Sequence, residues 1–216
     1  MNFIFIILTF LISAVIARIL IPRILLISLR KKLFDIPDDR KIHKRAIPRL
    51  GGVSFFPTTL FAFCLVYAFR LLDGDSISTL YASYLLPELL LFACGMTLLY
   101  LTGIADDLVG VRYRQKFAIQ IFCACLFPLS GLWINDLYGL FGIHELSAYV
   151  GIPFTVLTVV FITNAINLID GIDGLASGLS SVALLVFTFL FISKGLWSYA
   201  MLSAGTFGVL VPVFYY

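Results

Sequence analysis

Residues 161–178 read FITNAINLIDGIDGLASG, and they carry a long apolar segment directly into a cluster of polar side chains. Four carboxamides or carboxylates recur there at every third position: Asn164, Asn167, Asp170 and Asp173. Such groups are costly at the end of a bilayer helix, so they are usually functional. The glycines that follow at 171, 174 and 178 allow sharp turns and a close approach of the backbone to a ligand. This stretch predicts a membrane helix that ends at a binding or catalytic site.

The composition indicates that the solvent around most of the chain is lipid. Of the 216 residues, 61% are hydrophobic and 12% are charged, and the mean hydropathy is +1.06. A soluble domain of this size has too little interior to bury so much apolar surface. The long, continuous apolar runs exclude an outer-membrane barrel, whose strands are short and alternating. The net charge of +3 is too small to indicate nucleic acid as a partner. We therefore expect an all-α, polytopic integral membrane protein.

About seven apolar runs are candidate transmembrane helices for a hydrocarbon core ~30 Å thick. They cover approximately residues 3–28, 52–72, 85–104, 117–134, 149–169, 179–193 and 197–216. No repeat or linker interrupts them, so residues 1–216 are predicted to form a single membrane domain.

The distribution of Lys and Arg predicts which loops face the cytosol. Residues 30–50 hold eight Lys or Arg, and residues 105–116 hold three more. The loops that alternate with them, at 70–84 and 135–148, contain only Arg70. Short loops rich in Lys and Arg remain cytosolic. By alternation, residues 170–178 face the cytosol as well, so three polar segments converge on one face of the membrane.

Two groups of oxygen-bearing side chains suggest a metal or a phosphate. Asp106 and Asp107 are adjacent, and adjacent carboxylates repel each other unless a cation compensates. A divalent metal or a phosphate-binding network would explain the pair, although two solvated carboxylates are the simpler interpretation. Asn167 and Asp170 can share one helix face, and their oxygens suit Mg²⁺ or Mn²⁺. Helix capping explains one of the four polar residues in that segment, but hardly all of them.

The first basic loop, DIPDDRKIHKRAIPRLGG at residues 35–52, contains positive groups that a nucleotide or lipid phosphate would need. Basic residues at a cytosolic surface more often serve topology and anionic lipid. From the loop by itself, both interpretations stay open.

Taken together, the three segments resemble the polyprenyl-phosphate N-acetylhexosamine-1-phosphate transferases (glycosyltransferase family 4), integral membrane enzymes that start glycan assembly on a lipid carrier. The matching motifs, in chain order, are DIP at 35–37, RKIH at 40–43, IPRLGG at 47–52, GIADD at 103–107 with Lys116, and NAINLIDGIDG at 164–174. The first segment is more similar to the UDP-N-acetylglucosamine branch than to the muramoyl-pentapeptide branch.

The resemblance implies a phospho-N-acetylhexosamine transferase. Such an enzyme transfers N-acetylhexosamine 1-phosphate from a UDP-sugar to undecaprenyl (polyprenyl) phosphate and releases UMP, which begins the assembly of a lipid-linked glycan. The implied setting is the bacterial inner (plasma) membrane, with a multi-pass chain, cytosolic active-site loops and Mg²⁺ (or Mn²⁺) as cofactor. Whether the chain acts alone or as a homodimer is left open.

Carried over residue by residue, the resemblance implies three kinds of site residue. The catalytic residues are Asp106, Asp107 and Lys116, and the metal ligand is Asn167. The substrate-binding residues are Asp170, Asp173, Arg40, Lys41, His43 and Arg49. The family's partner aspartate for the metal and its sugar-facing loop are expected beyond Tyr216. The sequence thus corresponds to the N-terminal part of the family pattern, which leaves open whether this chain is active by itself.

Two other classes of function stay open. A non-catalytic or degenerate membrane protein that binds polyprenyl phosphate or a partner enzyme would keep the basic loops but would need no metal. A small transporter would also use Asp and Asn at glycine-interrupted helices. However, no inverted repeat is visible, and the polar groups gather on one face instead of the midplane.

Overall fold

The computed structural model of the protein describes residues 2–31, 34–35, 47–48, 51–73, 76–169 and 174–215. Its helices are α1 (Asn2–Arg30), α2 (Phe55–Leu72), α3 (Ser76–Val109), α4 (Tyr113–Leu129), α5 (Ala148–Ile169), α6 (Leu175–Ser193) and α7 (Trp197–Leu210). Three short 3₁₀ segments lie at Gly51–Ser54, Leu140–Gly142 and Val211–Tyr215. Two short strands, β1 (Phe34–Asp35) and β2 (Ile47–Pro48), pair antiparallel.

Six helical segments of the described chain are long and apolar enough to cross a membrane. They are Asn2–Arg30, Gly52–Leu72, Leu85–Val109, Ala148–Ile169, Leu175–Ser193 and Trp197–Phe214. Large apolar side chains on these helices are exposed, as Leu157 and Phe161 are on α5, and this is expected where the solvent is hydrocarbon. The predicted all-α, polytopic membrane architecture is confirmed.

The fourth of the seven predicted spans, residues 117–134, is not among these six segments. α4 has 17 residues and ends at Leu129, not near residue 134. The apolar residues that follow belong to a loop that packs on α5. The Trp133 ring fills the space that a Cβ at Gly151 would need, and the Ile134 N–H donates to Thr155 Oγ1 at 2.9 Å. Hydropathy alone does not distinguish the apolar end of a helix from an apolar loop.

The helices form two compact units. Unit 1 comprises Met1–Asp75 and Ile169–Tyr216, with α1, α2, α6 and α7, and unit 2 comprises Ser76–Leu168, with α3, α4 and α5. The statement that residues 1–216 act as a single membrane domain stays a prediction.

Unit 1 is built around α1 and α7, which approach each other closely because small residues meet between them. A Cβ at Gly208 would overlap Ser13 Oγ and the Phe10 carbonyl oxygen, and a Cβ at Gly205 would lie 2.9 Å from the Thr9 methyl group. The hydroxyls of Thr9 and Ser13 donate to carbonyl oxygens of their own helix, at 2.7 and 2.9 Å. Small residues and hydroxyls of this kind are typical of close helix pairs in lipid.

We predict that Gly208→Ala destabilises unit 1 by about 1–3 kcal/mol, because overpacking forces both helices to shift. The new methyl group would overlap backbone as well as side-chain atoms of α1. Gly178→Ala on α6 is the matched control, since nothing lies within 4 Å of a Cβ at that position. Unfolding in mixed micelles measures both variants, and equal stability would contradict the close α1–α7 contact.

Candidate active site

Asp106 lies in the last turn of α3, and both its backbone and its side chain help to end that helix. Gly110 adopts a left-handed conformation, with φ 74°, and its N–H donates to the Asp106 carbonyl oxygen at 3.0 Å. The Val111 N–H donates to Asp106 Oδ1 at 2.9 Å. Glycine adopts this conformation without steric cost, and short carboxylates readily accept from nearby N–H groups. The local sequence therefore fixes the direction of the Asp106 carboxylate.

Lys116 compensates the charge of Asp106. α4 begins at Tyr113, so Lys116 lies about one turn into the helix, and its Nζ donates to Asp106 Oδ2 at 2.9 Å. The two side chains are 29% and 32% exposed, so the ion pair is accessible and adds little stability by itself. An ammonium group has three N–H donors, which lets Lys116 hold Asp106 and an anionic ligand together.

Asp107 follows Asp106 directly in the last turn of α3. It is half-buried, and one step along the helix turns its side chain by about 100° around the axis. The two carboxylates therefore leave α3 in different directions. The Asp106 carboxylate accepts hydrogen bonds from the Val111 N–H and from Lys116 Nζ. Asp106 therefore orients the Lys116 side chain.

Asn164 and Asn167 have different environments near the end of α5. Asn167 is exposed, so its carboxamide can meet a ligand. Asn164 Nδ2 donates to Gln120 Oε1 on α4 and to the Val160 carbonyl oxygen, both at 2.8 Å. Asn164 thus ties α5 to α4, and Asn167 is the candidate metal ligand of the two.

Gln120 is a site residue that reasoning from the sequence missed. It is buried and lies one turn after Lys116 on α4, so the two side chains share a face. Through them α4 is connected to Asp106 on α3 and to Asn164 on α5. A glutamine in an apolar membrane segment is costly unless it is paired, and its spacing of four from Lys116 was the available signal.

We predict that Gln120→Leu destabilises unit 2 by roughly 0.5–2 kcal/mol, the scale of an interhelical hydrogen bond in a membrane. Gln115→Leu is the matched control, because Gln115 lies on the same helix with an exposed side chain. In unfolding measurements in detergent, Asn164→Leu should add little to the Gln120→Leu loss. Fully additive losses would show that the two amides do not act as a pair.

The structure gathers part of the predicted site. It joins Asp106 to Lys116 directly, with Asp107 next to them, and it places Asn167 one turn beyond the contact between Asn164 and Gln120. The six predicted substrate-binding residues lie outside the described residues: Asp170, Asp173, Arg40, Lys41, His43 and Arg49. Their roles stay predictions.

Oxygen donors for a metal are present at this end of unit 2, although they are few. Among residues 2–31, 34–35, 47–48, 51–73, 76–169 and 174–215, no three His, Cys, Asp or Glu side chains form a group that could hold an ion. Asn167 offers an exposed carboxamide oxygen. Mg²⁺ keeps several waters and takes one or two protein oxygens together with phosphates. The donors therefore fit Mg²⁺ or Mn²⁺ bound with a phosphate ligand better than an ion held by protein alone.

A small cavity in unit 2 is lined by residues of α3, α4 and α5, and Gln120 is one of them. Its volume is about 30 Å³, and Gly95, Cys123 and Val159 are among its lining residues. This volume admits water but neither a nucleotide nor a lipid chain.

Known proteins resemble this chain over most of its length. Residues 89–216 match the family described as Glycosyl transferase family 4. A Bacillus subtilis protein named probable undecaprenyl-phosphate N-acetylglucosaminyl 1-phosphate transferase is 30% identical over 88% of this chain and 49% of its own length. A Thermotoga maritima protein named undecaprenyl-phosphate alpha-N-acetylglucosaminyl 1-phosphate transferase is 30% identical over 78% of this chain and 47% of its own.

A third relative comes from the muramoyl branch. The Staphylococcus carnosus phospho-N-acetylmuramoyl-pentapeptide-transferase is 30% identical over 85% of this chain and 58% of its own length. The chain spans about half the length of these curated relatives.

Proposed function

The chain belongs to glycosyl transferase family 4, and from this we propose that it functions in sugar-1-phosphate transfer. The enzyme transfers N-acetylhexosamine 1-phosphate, with N-acetylglucosamine as the first candidate, from a UDP-sugar to undecaprenyl phosphate. The names of the Bacillus subtilis and Thermotoga maritima relatives support this choice of acceptor and sugar. The observation that carries the proposal is the accessible ion pair between Lys116 and Asp106, 2.9 Å long.

The proposed reaction is a phosphoryl transfer. An oxygen of the lipid phosphate forms a bond to the β-phosphorus of the UDP-sugar. The bond from that phosphorus to the bridging oxygen breaks, and UMP leaves with the electron pair. A phosphate monoester has a second pKa of about 6, so the nucleophile is already mainly dianionic at neutral pH. The protein must therefore align and neutralise phosphates more than it must remove a proton.

Lys116 suits this task because its ammonium group is held in place while it stays accessible. Asp106 Oδ2 accepts one of its three N–H donors, and the remaining donors can bind phosphate oxygens. Asp106 is fixed in turn by the Val111 N–H. In this proposal Lys116 binds phosphate and Asp106 is a positioning residue, so no general-base role is required of Asp106.

Mg²⁺ or Mn²⁺ is the proposed cofactor, and Asn167 is its proposed ligand in this chain. When bound, the ion would neutralise charge on the diphosphate of the donor. Asp107, next to Asp106 at the end of α3, remains a candidate catalytic residue. The six predicted substrate-binding residues that lie outside the described residues are proposed to contact the nucleotide and the phosphates. They are Asp170, Asp173, Arg40, Lys41, His43 and Arg49.

The proposed location is the bacterial plasma membrane, with the active site on the cytosolic face. It is supported by the concentration of Lys and Arg in the loops 30–50 and 105–116, and by the bacterial origin of the relatives. A homodimer stays a prediction.

The test is a transfer assay in proteoliposomes with labelled UDP-N-acetylglucosamine, undecaprenyl phosphate and Mg²⁺. It is run with this chain alone and with the C-terminal half of the Bacillus subtilis relative co-reconstituted, and EDTA is the control in both. Lipid-linked sugar that EDTA abolishes, in either arrangement, would support the proposal. The assay is then repeated with UDP-N-acetylgalactosamine or UDP-N-acetylmuramoyl-pentapeptide instead of UDP-N-acetylglucosamine. The donor that gives product identifies the sugar.

Absence of product in both arrangements would overturn the proposal. Binding of undecaprenyl phosphate that EDTA does not change would then favour a non-catalytic lipid-phosphate-binding protein.

A further inference from the structure

Residues 130–147 connect α4 to α5 as a hairpin. Asp136 and Glu145 pair as an antiparallel bridge, and the Leu137 N–H donates to the His144 carbonyl oxygen at 2.9 Å. The start of this connection is fixed to α5, because Trp133 packs against Gly151 and the Ile134 N–H donates to Thr155 Oγ1. The hairpin is therefore a defined element attached to the N-terminal end of α5.

The tip of the hairpin holds two aromatic side chains away from the protein. Tyr138 and Phe141 are 87% and 89% exposed, respectively. Both have positive φ, 51° and 57°, which is unfavourable for a bulky residue and persists only when the surrounding turn imposes it. Gly139, with φ 85°, makes that turn, and the His144 ring lies 3.3 Å from the position of a Cβ there. The turn thus presents two rings that cover nothing else in unit 2.

The length of α5 sets the depth of the hairpin in the bilayer. α5 has 22 residues, or about 33 Å, which matches a hydrocarbon core ~30 Å thick. Asn167 lies near its C-terminal end, and Tyr149, which is 93% exposed, lies near its N-terminal end. Since α5 crosses the core, the hairpin at its N-terminal end reaches the interface opposite Asn167.

We infer that this hairpin is an interfacial anchor that binds zwitterionic lipid in the headgroup layer. The rings of Tyr138, Phe141 and Tyr149 lie in that layer, which amphipathic aromatic side chains prefer to both water and hydrocarbon. The inference concerns the end of unit 2 away from the proposed active site, and it does not depend on the transfer activity.

The charge of the hairpin selects the class of lipid. Residues 130–147 contain Asp136 and Glu145 but no Lys or Arg. Anionic headgroups are held by basic residues, which this segment lacks. The choline or ethanolamine group of a zwitterionic lipid is a cation that suits both carboxylates and aromatic faces. The hairpin is therefore matched to zwitterionic lipid.

The test is depth-dependent quenching of an added tryptophan. Phe141→Trp is reconstituted in phosphatidylcholine vesicles, and the emission of the unaltered protein is subtracted. Quenchers are lipids brominated near the headgroup, lipids brominated at mid-chain, and aqueous acrylamide. Leu157→Trp, at an exposed position in the middle of α5, is the deep control. Tyr138→Trp gives an independent reading of the tip.

We expect Phe141→Trp to lose more emission to the shallow brominated lipid than to the deep one, and Leu157→Trp to show the reverse order. Adding phosphatidylglycerol to the vesicles should change neither. Quenching of Phe141→Trp by acrylamide as free as that of N-acetyltryptophanamide would put the tip in water. Protection from all three quenchers would mean that protein, such as a second copy of the chain, covers it. Either result, or shallow quenching that requires phosphatidylglycerol, would overturn the inference.

Discussion

Lys116→Met is expected to lower the rate of sugar-1-phosphate transfer by about 10²–10³-fold, the scale of removing one preorganised donor from a reacting anion. Methionine keeps the length of the side chain but cannot donate to a phosphate oxygen, and it removes the 2.9 Å contact with Asp106. The measurement is kcat and KM for both substrates in the reconstituted system. Lys194→Met is the matched control, because Lys194 follows α6 and takes no part in the proposed site.

The pairing of Lys116 with Asp106 makes this expectation sharper. Asp106→Asn removes the charge that holds Lys116, so it should also slow transfer. The double variant Asp106→Asn with Lys116→Met should be little slower than Lys116→Met alone, because residues that act as a unit lose activity non-additively. Losses that multiply would show separate roles. A Lys116→Met enzyme of nearly full activity would contradict phosphate binding by this residue.

Asn167→Ala is expected to raise the Mg²⁺ concentration needed for half-maximal transfer by about tenfold, because it removes the proposed protein ligand of the ion. A tenfold change corresponds to about 1.4 kcal/mol of binding free energy. Asn167 is the exposed carboxamide at the end of α5, whereas Asn164 is held by Gln120. The measurement is the rate of transfer against Mg²⁺ concentration at fixed substrate concentrations.

Two variants control for indirect effects at Asn167. Asn167→Asp keeps a hard oxygen donor, so it should depend less on high Mg²⁺ concentrations than Asn167→Ala does. Asn135→Ala changes an exposed asparagine of the hairpin and should leave the Mg²⁺ dependence unaltered. If Asn167→Ala and the unaltered chain have the same Mg²⁺ dependence, Asn167 is not a metal ligand.

The fold class could be predicted from composition, because in lipid only helices and closed barrels satisfy the backbone, and long apolar runs exclude the barrel. The end of α4 could not be predicted in the same way. Trp133 and Ile134 are as apolar as the helix before them, yet they pack against Gly151 and Thr155 of α5. Where an apolar residue packs depends on a partner distant in sequence, which hydropathy does not contain.

The candidate site shows the same division between local and distant information. Motif and spacing marked Asp106 and Lys116 as candidate site residues. Their contact depends on the turn between α3 and α4, and Gln120 was missed because its partner, Asn164, lies on another helix. The positive φ of Phe141 is likewise imposed by the folded turn and has no signal in the residue itself.

The most direct test of sugar-1-phosphate transfer follows two labels of one UDP-N-acetylglucosamine, radioactive phosphorus in the β-phosphate and tritium in the sugar, into the lipid fraction. We predict that both labels reach undecaprenyl phosphate in equal amounts, that UMP appears in the same amount, and that EDTA prevents all three. Tritium in the lipid without labelled phosphorus, with UDP as the by-product, would mean transfer of the sugar alone. That result would contradict the proposed function.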